Sequence, residues 1–512
     1  MLALFAALLI GKAFTSLEWR MEHDTPLLHY AAFQMDRYDL VPYRDIFETS
    51  MPGTFAFHYA VGSLFGYGDA AFRYVDLALL SALLGVTYLF MRRFGSVAAI
   101  WSAIVFGLVY LGQGQMMSLQ RDYIGIIPVA FALLCLPTTT NTPVRLGRFA
   151  WVGLLFGLAI LIKPHLSIAL PIVIGALLVF RWQSEQQSRR DLLLCAAVSS
   201  GALLIPLGIT LAWLAANGAL DQFLEIAFKY LPLHSSLNGD HETVSGPDRA
   251  IYLLQHAVIL GGFSIIALAA LAGYYNVAAR PHKDKATTIS LVCLGLCTVA
   301  YAVYPVLAGK FWIYHYMPLA YFCAISSGLC LFNWPQTYRA HFVRTTRALL
   351  LFMVFVVAVS LQLRLPGYLD TLASDLRSGP AAHAPKQGQV DEIAAWLSPR
   401  INPGDTVQTL DWAEGSIHAL LLTKTRLATR FMYDYHFYHA VSSPYIQGLR
   451  QEFIGQLRAA PPRFIIEILT NKPWVSGIDT TREFPELRQF IAAGYTVVFD
   501  SDDYLIYERA SP

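Results

Sequence analysis

From residue 1 to residue 365 the chain runs through one long apolar stretch after another, and this feature narrows the possible folds more than any other. A helix that crosses a bilayer needs about 20 apolar residues, with about 17–25 as the range. Stretches at 1–17, 72–91, 96–113, 123–137, 149–163, 166–180, 192–216, 251–278, 287–307, 313–332 and 348–365 predict about eleven spans, several of them short. Composition agrees, since 55% of the 512 residues are hydrophobic and 14% charged, against about 45–50% and about 25% in soluble globular proteins. The shortage of charge excludes nucleic-acid binding, disorder and a purely soluble enzyme. A net charge of +2 gives no strong pull toward acidic or basic partners. The expected architecture is a polytopic α-helical membrane protein.

The remaining charges set the topology. No basic segment precedes the first stretch and no A-x-A site follows it, so it reads as a retained helix. Arg92 and Arg93, Arg145 and Arg148, Arg181 with Arg189 and Arg190, Arg280 with Lys283 and Lys285, and Arg339 with Arg344 and Arg347 fall in alternate loops. Cytoplasmic loops retain Lys and Arg, which places these sets and the N-terminus inside. The stretch 149–180 is broken by Lys163-Pro164-His165. Read as a hairpin turning at Pro164, it keeps Arg148 and Arg181 inside and delivers Lys163 and His165 to the outer face. The outer face then receives the acidic first loop 18–71, residues 114–122, 217–250, 308–312 and everything beyond 365.

Three regions are expected: a transmembrane core over 1–365, a linker over 366–388, and an outer-face α/β domain over 389–512. In the last of these, Val390–Leu397 reads as an amphipathic helix and Thr406–Leu410 as a strand. Phe464–Ile468, Thr496–Phe499 and Leu505–Tyr507 read as further strands, with helices near 446–459 and 484–493. It carries no glycine-rich phosphate loop and no nucleophile elbow. All six cysteines sit in apolar stretches, which excludes a disulfide framework and a zinc ribbon.

Three groups of residues carry the chemical signal. The first outer loop holds Glu22, Asp24, Arg44, Asp45 and Glu48; a carboxylate at a membrane surface is placed to take a proton from a hydroxyl, and the same residues also read as solvated loop charges. Arg121 and Asp122 close the second outer loop, either as a local ion pair or as substrate contacts. The segment Lys310-Phe311-Trp312-Ile313-Tyr314-His315-Tyr316 sets a cation and a donor among aromatics at the end of a helix. An interfacial belt accounts for Trp312 and Tyr314 but less well for Lys310 and His315, which suit a lipid-linked phosphate. His436 and His439 lie among aromatics as a metal or sugar site or as a packed domain surface, with packing the better account. Asp240-His241-Glu242 falls in a loop expected to be a flexible substrate entry.

Asp24 after the first span, Pro42-Tyr43-Arg44-Asp45 with Pro52-Gly53, Lys163-Pro164 at an outer turn, and Lys310 through His315-Tyr316 to Pro318 together resemble the GT-C glycosyltransferases. The pattern is most similar to the branch holding dolichyl-phosphate-mannose protein mannosyltransferases and the bacterial aminoarabinose transferases of lipid A. The resemblance implies an inverting transfer of a sugar from a polyprenyl-phosphate donor to a glycan, lipid or protein acceptor outside a bacterial inner membrane, with the C-terminal domain periplasmic. It implies Asp24 as general base and Asp122, with Arg121, as a second-loop group orienting donor or acceptor. Lys310 and His315, with Lys163 and Tyr316, would stabilise the departing phosphate. Many relatives have a second acidic residue where this chain has Thr25, so Asp45 or Glu48 would share the work of Asp24. No protein metal ligand set or separate cofactor is implied, although a divalent ion is compatible with the acidic loops. The rival readings are a transporter or flippase of a lipid-linked sugar and an O-antigen polymerase or ligase. A transporter is expected to show repeated halves and polar sites at midplane, and neither is evident.

Overall fold

A computed structural model describes residues 2–138, 145–183, 188–280, 284–332, 342–377, 389–412, 415–470, 472 and 474–510. Every expected apolar stretch is helical over most of its length. Length is what separates them. Leu2–Thr15 and Arg121–Leu134 have 14 residues each, about 21 Å of rise against a hydrocarbon layer of about 30 Å. Among the described residues four helices are long and apolar enough to cross: Asp69–Phe94, Pro164–Trp182, Arg189–Ala216 and Lys285–Ala308. Two bent pairs raise the number to six if each is one span. By length and composition the described residues therefore do not confirm the expected count of about eleven. The bends have local causes, since Gly261 takes φ 58° at the 75° break after Gly246–Gly262 and Arg364 takes φ 48° at the 56° break before Leu365–Arg377.

The chain divides into two compact units. The first comprises Met1–Trp19, Arg73–Thr210 and Tyr252–Ala382. Its helices pack through aromatic edges, as where Trp101 meets Phe5 and Phe355, and through small residues. A Cβ on Gly153 would stand 1.9 Å from the carbonyl oxygen of Ser199, and one on Gly157 2.5 Å from that of Leu203. Two glycines four apart thus let Leu146–Ile162 press directly on the backbone of Arg189–Ala216, the small-residue packing that membrane helices use.

The second unit comprises Arg20–Phe72, Leu211–Ile251 and His383–Pro512. Its sheet contains β2 (Thr406–Leu410), β3 (Arg426–Leu427), β4 (Phe464–Ile468), β6 (Tyr495–Asp500) and β7 (Tyr504–Arg509) in the order β3-β2-β4-β7-β6. The pairs β2 with β3 and β2 with β4 are parallel, while β4 with β7 and β6 with β7 are antiparallel. Helices Val390–Leu397, Gly415–Thr423, Pro444–Ala459 and Pro485–Gly494 complete an α/β domain. A separate parallel pair joins β1 (Glu242–Thr243) to β5 (Ser476–Gly477).

This division departs from the expected one in three places. The acidic region 18–71 is mostly helix, Thr25–Tyr38 and Pro52–Phe65, and belongs with the C-terminal domain. The region 217–250 is ordered by short helices and by β1, and belongs there too, so the flexible entry loop is not what the chain forms. Of the expected linker 366–388, the described part lies in helix Leu365–Arg377. Its amphipathic face, with Tyr368 and Leu372 buried, supplies the ordering that a polar spacer lacks. Residues 378–388 lie outside the described residues.

Candidate functional site

In the first unit, Asp122 lies in the first turn of Arg121–Leu134 and is fully buried. Its Oδ2 accepts a hydrogen bond from Lys163 Nζ at 2.9 Å, and its Oδ1 accepts one from the Tyr304 hydroxyl. Lys163 stands where Leu146–Ile162 breaks, its backbone extended at φ −150° and ψ 112° because Pro164 follows. The ammonium lies 5.5 Å above the Tyr314 ring. Tyr314 meets His315 with ring centres 4.7 Å apart, Trp312 reaches both rings, and Lys310 Nζ lies 5.9 Å from the Trp312 ring. Three segments far apart in sequence thus bring Asp122, Lys163, Lys310 and His315 into one patch. Lys310 and His315 are buried at 7% and 3% exposure, so the Lys310 ammonium and the His315 ring sit where water screens them little and an anion would be held strongly.

The segment around Lys310 is pinned from below. Its carbonyl accepts from the Tyr252 hydroxyl at 3.2 Å, and the Tyr316 hydroxyl donates to the His256 carbonyl at 3.2 Å. The Tyr316 ring lies 2.4 Å from where a Cβ on Gly261 would stand, so only glycine fits there. Tyr316 therefore shapes the segment from its buried side.

A second network was not evident in the sequence. Arg73 and Asp76, three apart on one helix, form a fully buried ion pair. Arg73 also donates to the Ser16 carbonyl at 2.8 Å and to Ser118 Oγ at 3.0 Å, and stacks 4.5 Å above Trp19. Asp76 accepts from the Tyr110 hydroxyl at 2.5 Å and the Leu119 amide at 3.3 Å. The pair fixes residues 118–119, and with them the approach of the chain to Arg121 and Asp122. In sequence it looks like any surface i,i+3 pair at a helix end.

In the second unit, Asp24 precedes helix Thr25–Tyr38, with its carboxylate 3.1 Å from His23 Nδ1 and half-exposed. Thr25 is buried and donates to the Glu22 carbonyl at 2.7 Å, closing the turn that presents Asp24. Glu48 is buried. Its Oε1 accepts from the Thr49 and Ser50 amides at 2.9 and 3.1 Å, and its Oε2 from the Tyr433 hydroxyl at 2.7 Å. Arg44 pairs with the adjacent Asp45 at 2.7 Å and donates to the Asn217 carbonyl at 2.8 Å. Partial burial pushes the Asp45 carboxyl up, but Arg44 and the Val41 amide outweigh it and hold the group below its usual range. Asp24, Arg44, Asp45, Glu48 and Tyr433 are thus all built on one scaffold, with Asp24 the more open of the two carboxylates Asp24 and Glu48.

His436 and His439 are buried around the Tyr230 hydroxyl, with His436 Nδ1 at 2.6 Å and His439 Nε2 at 3.1 Å. Among the described residues no group of three or more His, Cys, Asp or Glu side chains is arranged to hold a metal ion.

A buried pair in this unit gives a pH prediction. His29 and His58 are fully buried with their Nδ1 atoms 3.4 Å apart. Burial pushes the His29 imidazole down to about 4, against opposing pulls from Gly66 and Asp69. Below about pH 6.5 the unfolded chain takes up a proton that the folded chain refuses. This contribution is whole above that pH and is lost as pH falls toward 4, at about 1.4 kcal/mol per unit. Between pH 6.5 and pH 5 the expected loss is about 2 kcal/mol. Thermal melts of the wild type and of His29→Gln at both pH values test it; an equal drop in the two proteins rules His29 out as the source.

No protein-family model matches the chain, and no curated protein sequence does. Solved structures do. ArnT from Cupriavidus metallidurans in the apo state aligns over 99% of this chain and 97% of its own, with TM-score 0.62 at 15% identity. The chain has the fold of ArnT. The same ArnT bound to undecaprenyl phosphate aligns equally well, over 99% of this chain and 98% of that one. The arabinofuranosyltransferase AftD from Mycobacteria aligns over 100% of this chain and 42% of its own, with TM-score 0.51 at 12% identity.

Proposed function

We propose that the chain is an inverting glycosyltransferase that moves a sugar from a polyprenyl-phosphate donor to an acceptor on the periplasmic face of a bacterial inner membrane. One observation carries the reading. Lys163, Lys310 and His315 are gathered into a single low-dielectric patch, in a fold whose ArnT representative has been solved with undecaprenyl phosphate bound.

The assigned chemistry is a single displacement. Asp24 takes the proton of the acceptor hydroxyl as its oxygen attacks the anomeric carbon from the face opposite the phosphate. The bond from that carbon to the phosphate oxygen breaks, and the electron pair leaves with the phosphate. Lys310 and His315 offset the charge that develops there, with Lys163 held in reach by Asp122. Arg121 orients the donor and Tyr316 holds the Lys310 segment in place, while Arg44, Asp45 and Glu48 shape the acceptor side around Asp24. A resident metal has no assigned part.

Release of free undecaprenyl phosphate by the purified protein tests the reading, with a panel of undecaprenyl-phosphate sugars as donors and membrane extract as acceptor. Lys310→Gln is expected to lower kcat by roughly 10²–10³-fold, the usual cost of removing one preorganised oxyanion donor. No release from any donor, with labelled donor crossing reconstituted vesicles, would identify a transporter instead.

A further inference from the structure

At the carboxyl edge of β3, β2 and β4, the parallel part of the sheet, the chain gathers aromatic rings and charge that the proposed transfer does not use. Trp412 follows β2 by two residues and Trp474 follows β4; their ring centres are 5.8 Å apart and both rings are half-exposed. Tyr435 packs edge-on to Trp412 at 4.7 Å. His241 closes the group at 5.7 Å from Trp412, held there because its carbonyl accepts from the Ser476 amide at 3.1 Å, beside the pairing of β1 with β5. Beneath the rings Lys472 and Asp434 form a buried ion pair at 2.6 Å, and Lys472 lies 4.9 Å from the Trp474 ring.

Two polar atoms in this group are left over. Among the described residues, neither the Trp412 indole nitrogen nor the second carboxylate oxygen of Asp434 reaches a hydrogen-bond partner, and both atoms are buried. One is a donor and the other an acceptor, and the hydroxyls of a sugar can both donate and accept. In open α/β sheets, ligands bind outside the carboxyl ends of the parallel strands. Pyranose and furanose rings present an apolar C–H face to an aromatic ring while their rim hydroxyls seek mixed donors and acceptors.

We infer that Trp412, Trp474 and His241, over Lys472 and Asp434, form a carbohydrate-binding subsite, and that the acceptor is a glycan gripped here as well as at Asp24. The inference rests on the proposed transferase reading for the word acceptor, but the binding stands apart from it. The subsite lies wholly within the second unit and explains what this part of the α/β domain is for.

Isothermal titration of the purified full chain with linear hexasaccharides of glucose, galactose, mannose and arabinose tests it. At least one is expected to bind, with affinity falling about tenfold in Trp412→Ala and in Trp474→Ala. Trp474→Phe retains a ring and is expected to stay close to wild type, which separates loss of stacking from loss of fold. Lys310→Gln is expected to bind the oligosaccharide normally while failing with undecaprenyl phosphate, so the two readings fail separately. Absence of binding by all four hexasaccharides, or unchanged binding in both alanine variants, overturns the inference.

Discussion

Asp24→Asn is expected to lower kcat for sugar transfer by roughly 10²–10⁴-fold, the range a positioned general base contributes, with donor affinity unchanged. Asparagine keeps the size and the hydrogen-bonding reach of the side chain, so the turn that Thr25 closes against Glu22 survives and the loss reports proton transfer alone. The contrast with Glu48 sharpens the test. Glu48 accepts from two backbone amides and from Tyr433, so Glu48→Gln is expected to disturb the loop, with a lower melting temperature accompanying any loss of rate. Full turnover in Asp24→Asn with a saturating donor would move the base elsewhere on the loop.

The second large effect concerns Lys163. Its ammonium is the cation that the buried Asp122 carboxylate meets at 2.9 Å. Removing it in Lys163→Met leaves a desolvated charge beside the Tyr304 hydroxyl, which costs about 3–5 kcal/mol in comparable buried pairs. The double variant Lys163→Met with Asp122→Asn removes both charges, and is expected to regain most of that stability without regaining activity. Melting of the single and double variants, read with polyprenyl-phosphate binding, separates the two roles of the lysine. Equal melting temperatures for wild type and Lys163→Met would show that the pair contributes nothing to the fold.

The α/β domain was legible because its signals are local. Strands at 406–410 and 464–468 and the helix at 390–397 fall where their residue patterns put them. The spans were legible as helices but not as crossings, since hydropathy reports burial whereas crossing depends on length and on bends at Gly261 and Arg364. In the candidate site, Lys163, Lys310 and His315 stood out as polar groups in apolar surroundings. Tyr304, Tyr252 and Gly261 did not, because a buried tyrosine or a helix-end glycine reads as ordinary packing until its partner is known. The same holds for Arg73 with Asp76 and for His29 with His58, whose meaning lies in contacts between distant segments.

The second unit is stitched from three separate lengths of chain, Arg20–Phe72, Leu211–Ile251 and His383–Pro512. During synthesis the earliest length must wait, its buried histidines uncovered, until the last has been delivered. Such high contact order slows folding and exposes unfinished surfaces to aggregation. Biogenesis of this protein should therefore lean on a holdase chaperone, and a fragment spanning residues 389–512 should be expressed far less readily than its tidy sheet suggests.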